Sequence, residues 1–103
     1  MTLAAQTFAP DLFRGRTVLV TGGTSGIGLA CAQAFRDLGA STVATGVTEA
    51  ERSRASGEQG NSGISFRVVD VRDAVALDDL IGGLSRLDIV VNAAGVIRRD
   101  ERA

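Results

Sequence analysis

Gly22, Gly26 and Gly28 stand in the run Thr17 to Gly28, TVLVTGGTSGIG, with the spacing G-x-x-x-G-x-G. Glycine tolerates positive φ and lets a ligand come close to the backbone, so the cluster suits a tight turn with something seated above it. An apolar strand, Thr17 to Thr21, runs into the turn, and an amphipathic helix leaves it near Ser25. The start of a helix presents unpaired N–H groups and the positive end of the helix dipole. Anionic phosphate is what such a turn holds best. The arrangement follows the logic of a dinucleotide-binding turn, in a glycine spacing that differs from G-x-G-x-x-G.

Few other residues offer chemistry. All eleven basic residues are arginine, and the chain has no lysine, histidine, tyrosine or tryptophan. The usual proton-transfer side chains are therefore nearly all missing. A single cysteine, Cys31, rules out an intrachain disulfide. It falls on the expected buried face of the first helix, where nothing nearby in sequence would lower its pKa, so core packing is the preferred reading. Glu49 lies about 20 residues past the glycine turn, where a dinucleotide fold looks for a ribose-binding acid. It reads better as a first-turn helix residue favoured by the dipole. No metal ligand and no catalytic residue is assigned.

The elements that must position the turn alternate in type. The first strand is followed by a helix over about Gly26–Leu38, with Ile27, Ala30, Cys31, Ala34, Phe35 and Leu38 at helical spacing and Gly39 as its cap. A second strand covers about Ser41–Thr45, and Thr48-x-x-Glu51 fits a capping box opening a short helix to about Ser56. GEQGNSG, Gly57–Gly63, reads as a loop. A third strand, Ser65–Val69, leads to Asp73 as N-cap of a helix to about Arg86, with Leu77, Leu80, Ile81, Leu84 and Leu87 on one face. Its Gly82-Gly83 pair weakens it by roughly 1 kcal/mol per glycine. The fourth strand is Asp88–Asn92. Its run Ile89-Val90-Val91 suggests burial on both faces and a parallel sheet covered by helices. Right-handed crossovers then give a Rossmann-like, doubly wound α/β half-sheet in the order 3-2-1-4. Without a further partner, that fourth strand is an apolar edge prone to self-association.

Composition excludes several classes. A length of 103 residues suits one domain, and a net charge of −1 favours neither nucleic acid nor an anionic membrane. Apolar runs are too short to span a bilayer, and residues 1–10 lack the pattern of a signal peptide. A cytoplasmic protein is the simplest reading.

With the glycine turn, Asp70-Val71 and Asn92-Ala93-Ala94-Gly95 all in place, the chain resembles the short-chain dehydrogenase/reductase family from Arg14 onward. The resemblance implies that Thr21, Gly22, Ser25, Gly26, Ile27 and Gly28 line the pyrophosphate and adjoining ribose of NAD or NADP. It implies that Asp70 accepts from the adenine amino group while Val71 packs on the ring. Asn92, Ala93 and Gly95 would lie beneath the nicotinamide-side ribose, with Ala93 where the family often has a second Asn. Asn92 reads equally well as a tie between neighbouring backbones. Gly46 aligns with the position where NAD-preferring members carry an acid, and Val47 with the arginine of NADP-preferring ones. Thr45 and Thr48 could donate to a 2′-phosphate, and Arg52 or Arg54 could reach it, so the lean is to NADP. Ile97-Arg98-Arg99 resembles a stretch of the family's sugar-acid dehydrogenases. Two arginines suit a carboxylate, although solvated charge is the preferred reading.

The family's proton relay uses a tyrosine, a lysine, a serine and an asparagine, with Tyr-x-x-x-Lys well downstream of the Asn-Ala-Ala-Gly segment. This chain contains neither tyrosine nor lysine. The expectation is an N-terminal extension, 1–13, followed by the cofactor-binding half of an oxidoreductase, 14–103, truncated before its catalytic half and inactive alone. The whole protein would be a homo-oligomer. It would transfer a hydride between a nicotinamide cofactor and a carbonyl or secondary alcohol, a sugar acid or 3-oxoacyl compound among the options. The alternative is a non-catalytic dinucleotide-binding or regulatory protein, or an inactive truncated product.

Overall fold

A computed structural model describes residues 11–93 of the chain. Gly95 and the Ile97-Arg98-Arg99 stretch lie outside the described residues. The elements are β1 (Thr17–Thr21), α1 (Gly26–Asp37), β2 (Ser41–Gly46), α2 (Glu49–Gly57), a 3-10 turn (Gln59–Asn61), β3 (Ile64–Val68), α3 (Ala74–Gly82) and β4 (Ile89–Asn92). The strands form one parallel sheet in the order β3-β2-β1-β4. Thr21 at the end of β1 stands beside Thr45 of β2 and Asn92 of β4, so the strands end together at one edge.

β1 is the centre of the packing. Val18 and Val20 enter a cluster with Ala32, Ala44, Ala55 and Phe66, whereas Leu19 faces Val43, Val69 and Leu80. All three β1 side chains are fully buried. A strand buried on both faces needs helices on both sides, here α1 and α2 on one and α3 on the other. Each such aliphatic side chain contributes about 1.5–3 kcal/mol by leaving water. Leu77, Leu80 and Ile81 of α3 pack in the second cluster as their spacing predicts, and Leu84 and Leu87 join it from the segment after the helix.

Three details depart from the sequence reading. α1 is rolled about its axis: Gly28 and Ala32 face the sheet, while Ile27 is 68% exposed. The reason is closeness, because a Cβ on Gly28 would lie 2.0 Å from the Gly22 carbonyl oxygen. Cys31, Ala34, Phe35 and Leu38 instead line an apolar hollow of about 360 Å³ with Leu12 and Phe13. Phe13, expected in the extension, stacks edge-on to Phe35 at 5.2 Å. α3 stops at Gly82 rather than near Arg86, its last turn closed by the Gly83 N–H on the Asp79 carbonyl. In β4, Ile89 and Val91 are half-buried but Val90 is 55% exposed. That strand is not covered on both faces by the described residues, since α3 lies over β1 and β2.

The loop after α2 is tied down. Buried Asn61 donates to the Ala55 carbonyl at 2.8 Å and accepts from Gln33 at 2.7 Å. Arg36 donates to the Gly60 and Ser62 carbonyls, fastening the segment to α1.

Candidate functional site

The site is built where β1, β2, β3 and β4 end. At the β1–α1 turn, Gly22 and Gly26 hold φ of +71° and +59°, the region that only glycine enters without strain. No described residue lies within 4 Å of the place where a Cβ on Gly26 would stand, so the backbone there faces open space. Gly28 brings α1 down onto the turn, as its 2.0 Å clearance requires. Gly23 has a structural role that the motif spacing did not reveal. A Cβ there would meet the Ala44 Cβ at 2.7 Å, and its N–H donates to the Thr45 carbonyl at 2.9 Å. Buried Thr24 was also missed; its methyl seats against Gly46.

Ser25 is the N-cap of α1, in extended backbone at φ −161°, and its side chain makes no cap hydrogen bond. No acidic residue stands in the first turn of α1. The N–H groups of Gly26, Ile27 and Gly28 have no partner within a helix that starts there. Positive potential is thus left at this turn, where the Gly26 backbone faces open space among the described residues.

Thr21 links this turn to β4. Its hydroxyl donates to Asn92 Oδ1 at 2.9 Å, and the Ala93 N–H donates to the Thr21 carbonyl at 3.0 Å. The Asn92 side chain thus meets a side chain of β1 rather than neighbouring backbone, at the exposed rim of the sheet. At the end of β3, the Val69 N–H bonds the Gly46 carbonyl, which sets Asp70 and half-buried Val71 next along the same edge. Asp70 is held by Arg72, whose guanidinium donates to both carboxylate oxygens at 3.1 and 2.8 Å. The Arg72 backbone N–H adds a third bond at 3.0 Å. Thr21, Gly22, Ser25, Gly26, Ile27, Gly28, Gly46, Asp70, Val71, Asn92 and Ala93 thus share one edge of the sheet.

The β2–α2 turn has the opposite character. Thr48 Oγ1 accepts from the Glu51 N–H at 3.1 Å, and Glu51 Oε1 accepts from the Val47 N–H at 3.0 Å. Arg52 clasps Glu49 with its Nε at 2.9 and 3.0 Å from the two oxygens. Hydrogen bonding from Arg52, aided by its charge, holds the Glu49 carboxyl below the usual carboxylate range. Thr45, considered as a donor to a phosphate, is 1% exposed. Among the described residues its hydroxyl has no hydrogen-bond partner, and it is enclosed within the sheet, out of a ligand's reach.

Known proteins agree with this geometry. The family model described as short chain dehydrogenase matches residues 16–103. The chain is 34% identical over 91 residues to D-beta-hydroxybutyrate dehydrogenase of Cupriavidus necator, covering 82% of this chain and 35% of that protein. It is 37% identical over 90 residues to D-threitol dehydrogenase of Mycolicibacterium smegmatis, again covering 82% and 35%. Among solved structures, 2-keto-3-deoxy-D-gluconate dehydrogenase of Streptococcus agalactiae superposes with a TM-score of 0.72 at 28% identity, over 86% of this chain and 36% of that one. The chain spans about a third of the length of these relatives. It belongs to the short-chain dehydrogenase/reductase family.

Proposed function

We propose that these residues hold the adenosine and pyrophosphate portion of NAD or NADP in an oxidoreductase acting on a carbonyl or secondary alcohol. The observation that carries this reading is the β1–α1 turn. It is the one βα turn of the described sheet whose helix start is answered neither by a side-chain cap nor by an acid. The donor set fits a pyrophosphate: backbone N–H groups from Gly26, Ile27 and Gly28, the Ser25 hydroxyl, and a glycine surface that allows close approach. Thr21 and Asn92 brace the nicotinamide side by fixing each other across β1 and β4. Asp70, oriented by Arg72, offers a carboxylate to the adenine amino group, and Val71 offers an apolar surface to the ring. When bound, the nicotinamide supplies or accepts a hydride at the substrate carbon. The substrate class we favour is a small hydroxylated or oxo compound such as a sugar acid or 3-oxoacyl chain, in keeping with the names of the relatives.

The 103 residues contain no tyrosine, lysine or histidine to move a proton at the reacting oxygen, so we assign them cofactor binding without turnover. Calorimetric titration tests the reading. NAD or NADP should bind saturably with one site per chain, and free nicotinamide should not. Failure of both dinucleotides to bind refutes it. Purified chain should leave NAD(P)H unconsumed over ketones, aldehydes and sugar acids; substrate-dependent oxidation that survives purification would refute the assignment of no turnover.

A further inference from the structure

Dinucleotide folds place an acid about 20 residues past the glycine turn, where it hydrogen-bonds the ribose 2′-hydroxyl. The end of β2 is that place, and Gly46 stands there without a side chain. The space is nonetheless not empty. A Cβ built on Gly46 would lie 3.0 Å from Glu51 Oε1, 3.3 Å from Glu51 Cβ and 2.7 Å from the Thr24 methyl of the glycine turn. Glu51 reaches back from the first turn of α2 and is fixed by the Val47 N–H at 3.0 Å. Its carboxylate therefore lies where the side chain of an acid at position 46 would begin, alongside the turn that receives the phosphates. Among the described residues its Oε2 accepts no hydrogen bond, so one oxygen remains for a ligand.

We propose that Glu51 supplies the ribose-reading carboxylate in place of the acid missing at Gly46, and that the site selects NAD over NADP. This rests on the dinucleotide reading above. Its carboxylate oxygen accepts from a 2′-hydroxyl and disfavours a 2′-phosphate. Glu49, the other acid at the right distance in sequence, is engaged by both Nε and Nη2 of Arg52. The groups that would favour a phosphate are weaker than residue types alone suggest. Thr45 is enclosed, Arg52 is committed to Glu49, and Val47 stands where an arginine would be needed. Arg54 begins about 4.5 Å further along the helix axis than Glu51. With Glu51 in this role, the lean passes from NADP to NAD.

The variant that isolates the charge is Glu51→Gln, because glutamine keeps the acceptor that a capping box needs. Glu49→Gln is the control: the same loss of charge in the same turn. NAD and NADP are titrated separately into each protein, in the form its source expresses, by calorimetry. Wild type should bind NAD at least tenfold more tightly than NADP. Glu51→Gln should shift that ratio toward NADP by roughly tenfold to a hundredfold, the range of one charge-assisted bond. Glu49→Gln should leave it within twofold. A wild type that prefers NADP overturns the proposal, and this arm needs no variant to fold. An unchanged ratio in Glu51→Gln, or an equal shift in Glu49→Gln, overturns it while leaving the dinucleotide site standing. Binding of neither nucleotide to wild type overturns both.

Discussion

The β1–α1 turn and the two other strand-to-helix turns along the same sheet edge share a topology but end their helices differently. α2 closes its start with Thr48 and Glu51 and carries Glu49 as well. α3 closes its start with Asp73, whose Oδ1 accepts from the Ala76 N–H at 3.2 Å. α1 has neither device, although Ser25, a residue type that caps well, occupies the N-cap. A cap is worth about 1 kcal/mol of stability to a helix. Forgoing it leaves backbone donors uncapped at the third turn, which is what the proposed phosphate site would use.

The largest effect should come from Gly28. Gly28→Ala puts a methyl 2.0 Å from the Gly22 carbonyl oxygen, a contact with backbone that no rotamer relieves. α1 must lift off the turn, at a cost beyond the roughly 1–3 kcal/mol of ordinary overpacking. Dinucleotide affinity should fall at least a hundredfold, with a clear drop in melting temperature. Retained binding would show that the turn can open without losing its phosphate site. Gly26→Ala should divide the two properties. Its methyl meets open space, so the fold bears only the cost of a non-glycine residue at φ +59°, about 1–2 kcal/mol. Binding should fall at least tenfold, because the methyl stands where the ligand approaches. Equal losses in stability and binding would mean that the space above Gly26 is not the ligand's.

A matched pair of variants sharpens the contrast. Asp73→Ala removes a working cap and should cost about 1 kcal/mol of stability while dinucleotide affinity stays within twofold. Ser25→Ala removes a hydroxyl that caps nothing and should change stability by less than about 0.5 kcal/mol. Its dinucleotide affinity should fall several-fold. Chemical denaturation and calorimetric titration on both proteins read the crossing. Parallel behaviour of the two would abolish the distinction between the turns.

The glycine spacing already names the open turn, because G-x-x-x-G-x-G specifies a backbone shape that few other residue patterns satisfy. Strand order follows from apolar runs and crossover handedness, and that order stands in the structure. Side-chain direction was less legible. Ile27 has the right spacing for the core, yet Gly28 sits so close to Gly22 that the helix turns the isoleucine outward. Val90 looked buried because its neighbours are apolar, but burial depends on where α3 lies, and α3 ends early at a glycine pair. Gly23 and Thr24 were missed for a related reason: their neighbours, Ala44 and Gly46, are distant in sequence. Glu51 was recognised as a capping residue, while its place beside Gly46 became visible only once β2 and α2 were folded together.

The smallest effect lies at the other end of the sheet, where charge rather than an open backbone does the joining. Asp88, just before β4, accepts from the Thr17 N–H at 2.8 Å, and its own N–H donates to the Thr17 carbonyl. The bond from Thr17, with the Arg86 and Arg16 charges beside it, holds the Asp88 carboxyl below its ordinary value. A carboxyl lowered on folding contributes stability that is fully present above its unfolded pKa of about 3.9. That contribution fades as pH falls through the lower folded value. Asp88→Asn keeps an acceptor for the Thr17 N–H but cannot titrate. Its melting temperature should lie slightly below wild type at neutral pH and fall less steeply than wild type below about pH 4. Dinucleotide affinity should not change, because the site is at the opposite edge. Identical acid limbs for the two proteins would show that Asp88 does not couple β1 to β4. A loss of dinucleotide affinity would show that the two edges are not independent.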